Sequence, residues 1–489
     1  MSGIFGIVSD ENCVDDLYYG TDYHSHLGTK NAGMAVFDGK EFKYDIKGIS
    51  SQAFRPQLHE FKRHVRANSG IGVISDYEPQ PLLIHSKLGD FAIVHVGKIR
   101  NVEEIVESAH NKNSHFSEMS SGKINPTEVV SSLIGKGKNY ADGIEIMQNS
   151  IEGSSSIMIL TKDGIYLSRD KFGRTPIVTG KKNGATAATL ETCAFQNNGF
   201  KIERYLGPGE IGIITNKGYE QIKKPNENLQ ICSFLWIYYG FPASNYEGIN
   251  SEITRNKFGA VLARQDKKDI ESGKLKIDFV AGIPDSGIGS GLGYAQEAKL
   301  PYLRPYAKYT PTWQRSFMPQ EQEARDLVAE MKLVLIPEII DGKSILYTED
   351  SIVRATQLMK KVKELIDNGA REVHMRPSCP PLTHGCSYLN FSMSKNIFDL
   401  AAVRAITDIE GIDRGDIKRW NTFNKNGGID IYLDENSEKY ESMVGGIKSG
   451  LGLTSLRYPR LDDMVSAIGL PKEKLCLGCW RDCGSCNKL

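Results

Sequence analysis

Ile345-Leu346-Tyr347-Thr348-Glu349-Asp350-Ser351-Ile352-Val353-Arg354-Ala355-Thr356 decides the reading of this chain. Four apolar or β-favouring residues lead into two acids, and a short, mostly small stretch then runs into a helical pattern. Leu358, Met359, Val362 and Leu365 recur at helical spacing up to Asn368-Gly369. A second strand is expected over 372–375. Strand, loop, helix and strand make the βαβ unit of an open parallel sheet, where ligands sit beyond the carboxyl ends of the strands. Paired carboxylates at such an end can hold a sugar diol or a metal. Backbone N–H groups at the following helix start can hold a phosphate. The competing reading is an acidic turn with Thr356 as the helix cap.

Working outward, Ser344–Tyr347 repeats a pattern already present upstream. There a strand over 277–283 feeds the loop Pro284-Asp285-Ser286-Gly287 and a helix through Ala295. Before about residue 226 the texture is different. Apolar, β-favouring runs at 3–8, 32–37, 91–96 and 156–160 are bounded by Gly, Asp or Asn, with helical periodicity around 127–134. Two domains, 1–226 and 227–489, are the expectation for 489 residues.

Composition narrows the class. Apolar residues are 40% and charged residues 25% of the chain, as in ordinary globular proteins. The 60 basic and 60 acidic side chains cancel, so no nucleic-acid footprint spans the sequence and any phosphate site is local. There is no run of about 18 apolar residues for a membrane span and no basic segment ahead of the first apolar stretch. A cytoplasmic location is expected, where the nine cysteines are thiols before they are disulfides. Cys476 and Cys479 form one C-x₂-C pair and Cys483 and Cys486 another, a pattern open to zinc or to an iron–sulfur cluster.

The segment 349–356 resembles the PRPP loop of type I phosphoribosyltransferases. Nearly the whole chain is similar to the glutamine PRPP amidotransferases, through FVAGIPDSGIGSGLGYAQ, QRSFMPQEQEARDLVAEMKL, GKSILYTEDSIVRATQ and GAREVHMRPSCPPLTHGC in that order. The resemblance implies an α/β and α+β chain: an N-terminal Ntn-hydrolase-like αββα sandwich and a C-terminal type I phosphoribosyltransferase parallel-sheet domain. It implies that Glu349 and Asp350 hold the ribose hydroxyls, and with Ser286 organise Mg²⁺. Ser351, Ile352, Val353, Arg354, Ala355 and Thr356 would cradle the 5′-phosphate. Arg315, Arg325 and Lys332 fall in and after the lid that shields the reacting sugar from water. The sequence departs from the family pattern at Glu349 (Asp in the family), Ala355 (Gly) and Gln357 (Thr). If residue 355 needs positive φ, alanine is a cost.

The same resemblance makes Ser2 the counterpart of the N-terminal cysteine nucleophile. Ser2 activated by its own amine is a possible nucleophile. The other glutaminase positions have also changed. The family's Arg clamp falls in Val73-Ile74-Ser75-Asp76-Tyr77-Glu78, its oxyanion Asn is Val96, and its amine-binding Asp lies in Asn125-Pro126-Thr127-Glu128. One lost oxyanion donor costs about 10²–10³ in rate. The expected function is therefore 5-phosphoribosylamine formation from PRPP with ammonia or an amine as donor. A glutamine-dependent enzyme using Ser2, or a PRPP- or nucleotide-sensing paralogue without turnover, are the alternatives. Purine nucleotides as effectors and a homodimer or homotetramer also follow from the resemblance. So does a [4Fe-4S] cluster on Cys232, Cys386, Cys476 and Cys479. Cys483 and Cys486 have no family counterpart, and zinc shared with Cys476 and Cys479 is the alternative. Cys13, Cys193 and Cys379 read as buried apolar fillers.

Overall fold

The computed structural model describes residues 2–50, 54–111, 115–120, 122–308, 333–389 and 396–481. Two large antiparallel sheets, one of seven strands and one of six, are built from residues between Gly3 and Lys223. They lie face to face because their strands are apolar on both sides. In the strand Gly3–Ser9, Ile4 faces the second sheet with Ala35, Ile71 and Val73, against Ala92, Val94, Met158 and Leu160. Phe5 and Ile7 point the other way, into a cluster with Val14, Leu17, Tyr18 and Leu58 of the covering helices Val14–Asp22 and Phe54–His64. The second sheet alternates likewise. Phe91 and Ile93 turn outward to Val129, Val130 and Leu133 of the helix Pro126–Ile134. Period-two alternation with both faces covered gives the αββα sandwich. The expected strands are all present, each within a residue or two of its expected bounds.

A second sheet system follows. Phe279–Gly282, Ser344–Glu349, Glu372–Pro377 and Ser455–Leu456 are neighbours in that order, and every pairing is parallel. Val280 and Leu346 face Leu262, Ala263 and Tyr294 of the helices Ser251–Glu271 and Ile288–Ala298. Phe279, Ala281, Ile345 and Tyr347 face Val362 and Leu365 of the helix Thr356–Asp367 and Ile406 and Met443 beyond it. This is a parallel sheet with helices on both sides, as the resemblance implied. Two details differ from the sequence reading. The first strand is shorter than 277–283. Thr356 is the first helical residue and not the cap; Ala355 holds the cap position and no side chain caps it.

The two halves share one core. Ile231, Phe234, Trp236 and Tyr246 pack with Ile4 and Val94 on one side and with Leu382, Met464 and Trp480 on the other. Among the described residues no helix is long and apolar enough to cross a membrane.

Candidate active site

The strand Ser344–Glu349 ends against the turn that leaves its neighbour. The amide of Ile283 donates to the Thr348 carbonyl (3.0 Å), and Thr348 Oγ1 donates to the Gly287 carbonyl (2.8 Å). A Cβ at Gly287 would stand 2.2 Å from the Thr348 carbonyl oxygen, so only glycine lets the two loops close together. On the far side both the amide and the hydroxyl of Ser378 donate to the Glu349 carbonyl (2.8 and 3.0 Å), and Ser378 Oγ lies 2.5 Å from Ser290 Oγ. The resemblance did not single out Ser290 or Ser378. Ser378 directly follows the strand Glu372–Pro377 and Ser290 lies in the first turn of the helix Ile288–Ala298, so neither stands out in the sequence.

That frame brings four predicted residues together. Ser286 Oγ donates to Glu349 Oε1 (2.7 Å), which also accepts the Asp350 amide (3.0 Å). Ser351 Oγ donates to Asp350 Oδ1 (2.5 Å). The Glu349 carboxyl is enclosed although part of the residue surface stays open. Burial first, and the Asp350 charge second, push it well above the usual carboxylate range. A cation would relieve both causes, so the donor set fits a divalent ion. Asp285 is partnered by Lys308 Nζ.

Beyond the acids the loop leaves four amides unused. Ile352 is buried in the sheet core, the Val353 carbonyl accepts from Ala401 N–H (2.7 Å), and the Arg354 carbonyl accepts from Arg404. The N–H groups of Ser351, Ile352, Val353 and Ala355 have no acceptor among the described residues. They precede a twelve-residue helix whose N-terminus carries partial positive charge. Ala355 has φ of +65°, so the conformation that glycine adopts freely is held here by a residue with a Cβ. We expect Ala355→Gly to raise unfolding stability by about 0.5–1 kcal/mol, the relief of strain less the added chain entropy; denaturant titration reads it. Arg315, Arg325 and Lys332 lie outside the described residues.

In the sandwich, Ser2 is buried with its Oγ 3.3 Å from Ser75 Oγ. The positions around it are engaged with one another. Asp76 accepts from Thr29 Oγ1 (2.9 Å). Glu78 is buried, accepts from Gln80 Nε2 (2.9 Å) and lies 3.4 Å from His95 Nε2. His95 Nδ1 meets Thr127 Oγ1 at 3.0 Å, and Gln80 Oε1 accepts the His95 amide (2.7 Å). Asn125 caps the helix Pro126–Ile134 by accepting Thr127 N–H (2.9 Å). Val96 points into the core between the sheets. His24 is neutral: burial lowers its pKa to about 4. Its Nδ1 donates to the Gly20 carbonyl, and its Nε2 lies against Thr189 Oγ1 and the Glu191 amide.

The cysteines converge from three segments. Ile231–Cys232 pairs in parallel with Leu475–Cys476, placing Cys232 opposite Cys476. The Cys479 carbonyl accepts from Thr383 and His384 N–H (both 3.2 Å), Trp480 Nε1 donates to the Pro380 carbonyl (3.0 Å), and Trp480 stacks on Phe234 at 5.3 Å. Cys386 Sγ accepts Leu389 N–H (3.3 Å). Burial, then the neighbouring thiols, push Cys232 and Cys479 well above the ordinary thiol range: Cys476 and Cys386 act on the first, and chiefly Cys386 and Cys476 on the second. Among the described residues, no three Cys, His, Asp or Glu side chains are grouped so as to hold a single metal ion. Cys483 and Cys486 lie outside the described residues. Cys13, Cys193 and Cys379 are buried; burial pushes the first two up to about 12.

The comparisons with known proteins agree with this geometry. A family model described as a glutamine amidotransferase domain matches residues 64–196. The chain is 31% identical over 398 residues to the amidophosphoribosyltransferase of Bacillus subtilis, covering 79% of this chain and 80% of that one. It is 30% identical over 423 residues to that of Synechococcus elongatus, covering 83% of each. The solved structure of glutamine PRPP amidotransferase from B. subtilis complexed with ADP and GMP superposes with a TM-score of 0.79 at 26% identity. It spans 98% of this chain and 96% of that one.

Proposed function

The chain belongs to the amidophosphoribosyltransferases, phosphoribosyl-transferring enzymes of purine biosynthesis, and on that premise we propose that it binds PRPP with Mg²⁺ in the 349–356 loop and makes 5-phosphoribosylamine from ammonia, not glutamine. The carrying observation is the adjacent carboxylates Glu349 and Asp350 beside the unused amides of Ser351, Ile352, Val353 and Ala355. Glu349 and Asp350 hold the ribose hydroxyls and, with Ser286, the cation; Ser351, Ile352, Val353, Arg354, Ala355 and Thr356 surround the 5′-phosphate. Mg²⁺, when bound, neutralises charge on the departing pyrophosphate. By the resemblance, Arg315 and Lys332 are basic positions in and after the segment that would shield the reacting sugar from water while ammonia adds to C1. The functional division falls at residues 226 and 227, just past the last strand of the sandwich, Gly218–Lys223.

The glutaminase site is degenerate in this reading. What supports it is the mutual satisfaction of Glu78, Gln80, His95 and Thr127 where a substrate clamp is needed, and Val96 directed into the core. Glu78 supplies a buried acid and no guanidinium, which disfavours a carboxylate substrate. Pyrophosphate release compared with glutamine, ammonium and water tests the reading: turnover with ammonium alone supports it, and equal turnover with glutamine rejects it. Ser2→Ala is expected to leave ammonium-dependent turnover within twofold, and glutamate formation from glutamine to be undetectable before and after the change.

We assign a [4Fe-4S] cluster to Cys232, Cys386, Cys476 and Cys479. Supporting it is their convergence from three segments, with Cys232 opposite Cys476 and with Cys386 and Cys476 near enough to Cys479 to push its thiol up. Iron and acid-labile sulfide in protein purified without oxygen check it. Purine nucleotides as effectors and a homodimer or homotetramer complete the proposal; the B. subtilis relative was solved with ADP and GMP.

A further inference from the structure

A feature that this function leaves unused is a cavity of about 390 Å³ in the sandwich. Its walls come from the end of the helix Tyr140–Ser150, the turn 151–155 and the loop 170–174. We propose that it binds a small hydroxylated organic anion carrying two negative charges, a sugar phosphate or a hydroxydicarboxylate.

Three observations carry this. Ser154 and Ser155 line the cavity, are 1% and 4% exposed, and their hydroxyls have no hydrogen-bond partner. A buried hydroxyl left unmade costs about 1–3 kcal/mol, which a ligand oxygen would recover. Next, three cations line the same space: Arg100, Lys171 and Arg174. Two acids line it as well. Asp170 is committed, since its Oδ1 accepts the amides of Phe172 (3.2 Å) and Arg174 (2.9 Å) and lies 3.8 Å from Arg174 Nη1. Glu152 is the other. Neither Arg100 nor Lys171 has an ion pair among the described residues, so the positive side is in excess. Third, the volume falls within the range of metabolite sites and exceeds what a bare inorganic anion fills.

The cavity is tied to the other half of the chain. The Arg174 guanidinium lies over the Phe172 ring (4.5 Å to the centroid) and the Tyr388 ring (3.6 Å), and Lys98 N–H donates to the Tyr388 carbonyl (2.9 Å). A bound anion would therefore touch the guanidinium that spans from the sandwich to the segment carrying Cys386.

The test is calorimetric titration of the full chain with glucose 6-phosphate and, separately, with malate, repeated on Lys171→Met, Ser154→Ala and the double variant Glu349→Gln/Asp350→Asn. The expected result is saturable binding of at least one probe, weakened about tenfold or more by Lys171→Met and by Ser154→Ala, and unchanged in the double variant. Glucose 6-phosphate alone identifies a phosphate head, and malate alone a carboxylate head. Ser154→Ala removes a hydroxyl with no protein partner, so it should fold at least as stably as the parent and its loss of binding reads the site. Absence of saturable binding for both probes overturns the proposal. So does binding that survives Lys171→Met, or binding that disappears in the double variant, which would place the probe in the PRPP loop.

Discussion

The double change Glu349→Gln and Asp350→Asn is expected to lower PRPP-dependent pyrophosphate release by 10³-fold or more, on the order of 4 kcal/mol of transition-state stabilisation. Both carboxylates sit at the end of one strand, with Ser286 Oγ and the Asp350 amide already on Glu349 Oε1. Amides keep the shape and lose the charge that a cation and a sugar diol need. Stability should move the opposite way. The folded chain holds the Glu349 proton more tightly than the unfolded chain does, because burial and Asp350 raise its pKa. That contribution is fully present below the unfolded carboxyl pKa and is lost as pH rises through the folded value. Glu349→Gln alone therefore unfolds at higher denaturant than the parent at pH 8, and the gap closes as pH is lowered. Activity measured by pyrophosphate release and unfolding followed by fluorescence check both halves. A variant that is both active and no more stable would contradict the assignment.

Asp266→Ala carries the largest expected effect on folding, a loss of about 3–5 kcal/mol. Asp266 is fully buried in the helix Ser251–Glu271 and accepts from Arg376 Nε (2.6 Å) and Nη2 (3.2 Å), from Tyr294 OH (2.7 Å) and from Arg457. Removing the carboxylate leaves the Arg376 guanidinium, 2% exposed, without its counter-charge inside the phosphoribosyltransferase core. Arg457 is more open and retains Asp269 (2.7 Å), so it contributes less to the loss. Urea unfolding with an unchanged m-value is the expected signature. The companion variant Asp266→Asn keeps some of the hydrogen bonds and should fall between parent and alanine.

Sequence alone settled the parts of this protein that depend on local pattern. Apolar strands bounded by turn residues marked the sandwich. The run from Ile345 to Leu365 marked the strand, the acidic loop and the helix, since a continuous apolar run gives way to two acids and then to helical spacing. The φ of Ala355 was foreseeable as a question, because a family glycine there signals a backbone that side chains resist; only the folded loop answered it, at +65°. The pairing of Ser378 and Ser290 beside Glu349, and the Asp266 ion cluster, join residues 88 and up to 191 positions apart. No periodicity encodes such meetings, because strand order and helix placement are decided by which apolar faces are buried together. The same holds for Ser154 and Ser155. In the sequence they are two serines in a polar turn; the packing of a helix end, a turn and a loop around them strips their hydroxyls of partners, and that tertiary event creates the cavity.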